Sequence, residues 1–115
     1  MPAHGLPPER KLRRRGEFQR VFDHGRRLHG RYFTIVAAPS EQPTIRLGIV
    51  ASRKIGGAVV RNRAKRLIRE LFRRSTPVEG SWDFVVIPKN TLVAADLVSL
   101  EQEYKAALRR CLSKK

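Results

Sequence analysis

The chain has 115 residues, 41% of them hydrophobic, and its 25 Lys/Arg against 10 Asp/Glu give a formal charge of +15. That length accommodates one domain with a modest core, and the apolar fraction excludes wholesale disorder. So large a cationic surplus requires a partner that is acidic over a wide area, and both a nucleic acid and an anionic membrane qualify.

Residues 1–9 are rich in Pro, His and Gly and are expected to form a disordered tail, which leaves residues 10–115 as the single domain. Arg10, Lys11, Arg13, Arg14 and Arg15 follow as a basic arm. The segment GEFQRVFDHG reads as a short helix with Phe18, Val21 and Phe22 on one side and Gly25 as its stop. RYFTIVAA alternates as a strand, Phe33, Ile35 and Ala37 opposing Tyr32, Thr34 and Val36. Residues 39–43 make a turn. IRLGIVAS is a near-continuous apolar run suited to the centre of a sheet. Gly56 and Gly57 then open a basic helix, residues 77–81 break the chain, WDFVVIP supplies another strand and residues 92–112 a terminal helix. The order helix, two or three strands, helix, strand, helix predicts mixed α/β layers with helices packed on one sheet. No repeat is present.

Apolar runs such as residues 84–87 are far too short to span a bilayer. The N-terminus lacks an apolar signal core, so a cytoplasmic location is expected. One cysteine, Cys111, forms no internal disulfide and suits a reducing compartment as a small, partly buried residue.

Residues 46–74 carry ten Lys/Arg and one acid, Glu70. On a helical wheel, Val60, Ala64, Leu67, Ile68, Leu71 and Phe72 share the core-facing side. Arg61, Asn62, Lys65, Arg66, Arg69 and Arg73 share the other, while Arg63 and Arg74 fall nearer the apolar side and one of them is expected to be structural. A helix needing only solubility would interleave Glu with Lys, because opposite charges four residues apart stabilise and like charges repel. This face carries its repulsion uncompensated, as a surface that meets a polyanion would. Backbone N–H groups at the glycine-led helix start are also free to meet a phosphate, a plain helix-entry turn being the alternative.

Signs of independent catalysis are weak. His4, His24 and His29 have no spacing that makes a metal site with Cys111, and Asp83 and Glu70 have no partner at acid/base or two-metal spacing. GIVASRKIGG lacks the Gly-Lys-Ser/Thr ending of a phosphate loop.

The run LGIVASRKIGGAVVRNRAKRLIRE, with Arg61-Asn62-Arg63 at its centre, closely resembles the signature of the bacterial ribonuclease P protein family. FQRVFDHGRRLHGRYF resembles that family's first helix and strand, and WDFVVIPK its last strand, so the likeness covers residues 10–110. It implies an α+β fold in the order α-β-β-β-α-β-α, with a central four-stranded sheet and three helices. A left-handed βαβ crossover, shared with a domain of a small-subunit ribosomal protein, is also implied, where general rules favour the right-handed hand. It further implies the protein subunit of an endoribonuclease whose RNA subunit holds the active site and the Mg²⁺ ions. The protein would bind that RNA and the 5′ leader of precursor tRNA, and would not cleave alone.

By the same resemblance, Phe18 and Phe22 match leader contacts in a cleft between the first helix and the sheet. Their spacing of four puts them on one helical face, where aromatic rings stack on bases without regard to sequence; a core role for both rings is the alternative. Arg53 and Lys54 match basic positions near leader and phosphate, and Arg61, Asn62, Arg63, Lys65, Arg66 and Arg69 match the helix that approaches RNA near the cleavage point. Lys89 matches a basic position after the last strand. Departures from the family pattern are Gly57 where many relatives carry Lys, Val36 where some carry Tyr, and Asn90 where a second basic residue can occur. A ribosomal or general RNA-binding protein without a part in cleavage is the competing reading, and a stand-alone nuclease is disfavoured by the scarcity of acids.

Overall fold

A computed structural model describes residues 6–77 and 80–112. Helix α1 (Arg15–His24) leads into a hairpin of β1 (Arg26–His29) and β2 (Phe33–Pro39). Then come β3 (Arg46–Ile49), α2 (Ala58–Ser75), β4 (Trp82–Pro88) and α3 (Leu97–Leu112). The strands form one sheet in the order β1-β2-β4-β3. β2 is antiparallel to both β1 and β4, and β3 is parallel to β4. Three helices on a mixed four-stranded sheet make the α+β architecture and element order that the resemblance implied.

The period-2 alternation of β2 and β4 sorts their side chains into two layers. Phe33, Ile35, Ala37, Phe84 and Val86 face α2 and α3 and join Ala64, Ile68, Leu71, Phe72, Leu100 and Tyr104 in the larger cluster. Val36, Ala38 and Val85 face α1 and pack on Val21, which has no exposed surface. Each fully buried Val, Leu, Ile or Phe side chain contributes about 1.5–3 kcal/mol. On α2 the core stripe is Ala64, Ile68, Leu71 and Phe72, with Val60 and Leu67 half-buried at its margin. The hydroxyls of Tyr104 and Thr76 share a hydrogen bond that ties α3 to the end of α2. Burial pushes the pKa of both the Tyr104 hydroxyl and the Cys111 thiol above the ordinary range, so both stay protonated.

Two expectations give way, and one strand is missing from the residue-level reading, which left open two or three strands before the basic helix. β1 has no counterpart in the residue-level reading, because RRLH offers one apolar residue and no alternation; its charges suit an edge strand that must not recruit another chain. The apolar run around β3 was expected at the sheet centre, but β3 is an edge and β4 holds the centre between β2 and β3. The outer edge of β3 is instead covered by the N-terminal segment, where the Leu12 N–H donates to the Leu47 carbonyl at 2.9 Å.

That segment is also the third departure. Leu6 is buried in the larger cluster and Pro8–Arg10 form a 3-10 turn, so the ordered chain begins before residue 10. Residues 1–5 of the expected tail lie outside the described residues. Arg10 is no arm: its Nε donates to the Ile45 carbonyl at 3.1 Å and its Nη2 to the Pro77 carbonyl at 3.0 Å. Its guanidinium lies 4.7 Å from the centroid of the Phe72 ring. Burial holds its pKa below the ordinary arginine value. Carbonyl acceptors and a ring face make such burial tolerable.

Candidate RNA interface

α1 crosses one face of the sheet over β2 and β4. What fixes it there is a buried carboxylate. Asp83 on β4 is fully enclosed and accepts two hydrogen bonds from Arg46, Nε to Oδ1 and Nη2 to Oδ2, both at 2.8 Å. Arg20 on α1 donates to the same Oδ2 at 2.8 Å and to the Pro39 carbonyl at 2.9 Å. Arg46 also reaches Glu17 on α1 at 3.3 Å. Glu17 in turn accepts from the backbone N–H groups of Arg13 and Arg14 at 2.7 and 3.1 Å, which satisfies two donors at the helix start. The Arg13 N–H is the main reason that the Glu17 carboxyl sits below the usual range, with Arg46 adding to it. Bonding to Asp83 raises the already high pKa of Arg46. Arg46 therefore belongs to the frame, not to the cationic surface among which its sequence position counts it.

With α1 held, its aromatic residues fall at the border of the sheet. The Phe18 ring lies directly on Gly48: a Cβ there would sit 2.5 Å from Phe18 Cε2, so only glycine lets the ring settle against β3. Phe18 is half-buried and shares a hollow of about 170 Å³ with Lys11, Gly48, Lys65 and Arg69. Phe22, also half-buried, packs beside Val36 and Val85, and the Arg27 guanidinium lies 5.5 Å from its ring centroid. Strand register sets Arg27 beside Val36 and His29 beside Thr34, so β1 adds two polar side chains to the face that α1 covers. The His29 Nδ1 lies 3.2 Å from the Thr34 hydroxyl oxygen.

The cations after β3 are differently placed. Arg53 and Lys54 occupy a 3-10 turn, Arg53–Ile55, whose start is closed by the Ser52 hydroxyl accepting from the Lys54 N–H at 3.3 Å. Both are exposed. Gly56 has φ +145°, a conformation reserved for glycine, and turns the chain into α2. Gly57 caps α2 with no side-chain acceptor and no acid follows in the first turn, leaving the positive end of the helix uncompensated.

Along α2 the candidate residues separate. Arg61 is half-buried and its Nη1 donates to the Gly56 carbonyl at 3.2 Å, so it holds the turn. Lys65 and Arg69 face Phe18 around the edge of β3. Asn62, Arg63 and Arg66 form a second stripe, around a hollow of about 500 Å³ completed by Val59 and Leu67. Arg73 grips both carboxylate oxygens of Glu70 at 2.6 and 2.7 Å, and Arg74 lies 3.8 Å from Glu101 on α3. Arg74 is thus the structural member of the pair that the wheel left near the apolar side, while Arg63 is exposed. The Lys89 ammonium donates to the Gly30 carbonyl and steadies the β1–β2 turn.

Two contributors escaped the sequence reading. Lys11 enters the Phe18 hollow because residues 10–12 run along β3, and Arg27 stands over Phe22 because β1 pairs with β2. An Arg-Arg pair just past a helix stop was the available signal for Arg27. Among the described residues no three His, Cys, Asp or Glu side chains come together as metal ligands, and no helix is long and apolar enough to cross a membrane.

An uncapped basic helix, a basic turn and half-buried aromatics around one sheet define the class: a small basic protein that binds nucleic acid. A sequence model of the family described as Ribonuclease P matches residues 6–112. The Ribonuclease P protein component of Desulfovibrio desulfuricans is 39% identical over 117 residues, covering 96% of this chain and 88% of that protein. That of Halalkalibacterium halodurans is 42% identical over 94 residues, covering 80% and 77%. The solved RNase P protein of Thermotoga maritima superposes with a TM-score of 0.76 at 34% identity, covering 87% of this chain and 96% of that one. For the Staphylococcus aureus RNase P protein the TM-score is 0.75 at 27% identity, with 90% and 98% covered. The chain belongs to the bacterial ribonuclease P protein family, the protein subunit of an endoribonuclease of tRNA processing.

Proposed function

We infer that this chain binds the 5′ leader of precursor tRNA in the hollow between α1 and α2, and the catalytic RNA with the outer stripe of α2. The observation that carries this reading is the meeting of the Phe18 ring with Lys65, Arg69 and Lys11 in one hollow. A leader differs from one tRNA to the next, so its binding calls for contacts that ignore base identity. Ring stacking supplies about 1–3 kcal/mol per base regardless of sequence, and cations hold the phosphates between bases. Arg69 can fork onto one phosphate while Lys65 and Lys11 act as point charges. Arg53 and Lys54, one turn before α2, continue the cationic track towards its uncapped N-terminus.

The protein contributes positioning and charge neutralisation. Two polyanions, catalytic RNA and substrate, repel each other, and a cationic body between them lowers the cost of their approach. Mg²⁺ belongs to the RNA in this reading. Asp83 is closed off by Arg20 and Arg46, and Glu70 by Arg73, so neither carboxylate is offered to a metal. Location in the cytoplasm, with the precursor tRNAs, is part of the same reading.

The test is 5′-leader removal from a precursor tRNA at low Mg²⁺ and near-physiological salt, comparing catalytic RNA alone, this protein alone and both together. Cleavage in the combined sample only is expected. Tight RNA binding without any gain in cleavage would overturn the reading in favour of a general RNA-binding role.

A further inference from the structure

Val59 is 82% exposed, the most exposed large apolar side chain among the described residues, and it stands on the helix that carries the densest cationic charge. No part of the described fold covers it. A β-branched residue in a helix is also a weak local choice, since it loses side-chain freedom against the preceding turn and gains no packing in return. Its neighbours explain the choice better. Val59, Asn62, Arg63, Arg66 and Leu67 line one hollow of about 500 Å³. Their spacing of i, i+3, i+4, i+7, i+8 is that of a continuous stripe along one helical face. Apolar groups stand at the two ends of that stripe, and Asn62, Arg63 and Arg66 lie between them.

Arg63 and Arg66 make no ion pair or hydrogen bond to a side chain among the described residues; the nearby acid, Glu70, is gripped by Arg73. The hollow thus combines an apolar floor with unneutralised guanidinium groups. A partner protein or a second copy of this chain, itself strongly basic, lacks the matching charge. An anionic membrane would need more apolar surface to insert than one valine and one half-buried leucine. A nucleoside unit of RNA satisfies both demands, because the ribose and the base face are apolar surfaces held between two phosphates.

We propose that the Val59–Leu67 stripe seats one nucleoside of the catalytic RNA, with its sugar and base resting on Val59 and Leu67 and its flanking phosphates taken by Arg63 and Arg66. This deepens the assignment of α2 to the catalytic RNA and rests on it. The stripe gives that contact a component that salt does not screen, beside the counterion release supplied by the arginines.

The test uses the full chain and the catalytic RNA transcribed from the same source, with affinity measured over a series of salt concentrations. Val59→Ser, which has similar helix propensity and no packing to lose, is expected to weaken binding about fivefold at every salt concentration, leaving the slope of log K against log salt unchanged. Val59→Ile is expected to retain the wild-type affinity, and thermal unfolding of both variants to match the wild type. Binding of Val59→Ser that superimposes on wild type overturns the proposal, as does a change of slope or an equal loss in Val59→Ile. A dimer that Val59→Ser abolishes while RNA affinity stays constant would assign the hollow to a second copy and also overturn it. Leader removal by the wild-type complex keeps these outcomes separate from the function itself: normal cleavage with an inert Val59 removes only the stripe.

Discussion

The cations of this protein divide into an inner and an outer set, and the outer set lies on α2 and the turn before it, although Arg61, Arg73 and Arg74 of α2 have partners within the fold. Around α1 and the N-terminal segment, Arg10, Arg20 and Arg46 are occupied by carbonyl oxygens and by the enclosed Asp83. Along α2 and the turn before it, Arg53, Arg63, Lys65, Arg66 and Arg69 are cations without an acid partner among the described residues. Both sets have the same chemistry, yet one has its charge answered within the fold and the other does not. The lesson is that a count of charges locates a basic segment but not the contact surface. Arg46 opens the most basic stretch of the sequence and still belongs to the inner set, because its acid lies 37 residues further along the chain.

Breaking the inner set should produce the largest effect. Asp83→Ala leaves Arg46, largely buried, and Arg20 facing each other with Glu17, 3.3 Å from Arg46, as the remaining counter-charge, and should cost about 3 kcal/mol of stability in denaturant unfolding. A loss below about 1 kcal/mol would mean that α1 is held by Val21 and its apolar neighbours alone. At the meeting point of the two sets, Phe18→Ala should weaken precursor tRNA binding by the holoenzyme roughly tenfold and leave mature tRNA unaffected. Equal losses for both tRNAs would return Phe18 to a purely packing role against Gly48.

Acid should loosen the inner set without touching the outer one. The Glu17 carboxyl is held below its ordinary value, chiefly by the Arg13 N–H, so the folded state binds fewer protons than the unfolded one as pH falls. Its contribution is complete above about pH 4.3 and is lost as pH drops through the lower folded value. A modest fall in thermal stability over that window, reduced in Glu17→Gln, is the expected result. At the other end of the scale, burial keeps the Cys111 thiol protonated, so that stability is full below the ordinary thiol range and declines as pH rises through the raised value. Thiol reagents should accordingly modify Cys111 slowly in the folded protein at neutral pH.

Much of the fold was legible because its signals are local. The alternation of Phe33, Ile35 and Ala37 against Val36 separates the two clusters, and the apolar stripe of α2 falls on Ala64, Ile68, Leu71 and Phe72 as its spacing predicts. What was not legible depends on distant partners. β1 is a strand because β2 lies beside it, not because RRLH favours one. Arg10 reads as the start of an arm until Ile45 and Pro77 supply its acceptors, 35 and 67 residues away. In the candidate interface the sequence points to α2 as a whole, yet cannot separate Lys65 and Arg69, which turn to Phe18, from Asn62, Arg63 and Arg66, which turn to Val59. Nor does the sequence show that Arg61 and Lys89 donate hydrogen bonds to the Gly56 and Gly30 carbonyls.

The division itself is tested most directly by the salt dependence of catalytic RNA binding for two single-charge variants, Arg66→Gln from the outer set and Arg20→Gln from the inner set. Arg20 is the suitable inner probe because its side chain is 40% exposed and Arg46 still answers Asp83 in its absence. Arg66→Gln should lower the slope of log K against log salt by about 0.7 to 0.9, the loss of one phosphate contact, with stability unchanged. Arg20→Gln should lower stability and leave the slope at its wild-type value. Equal loss of slope in the two variants would contradict the account, since it would show that an arginine bound to Asp83 meets RNA as readily as one that has no acid of its own.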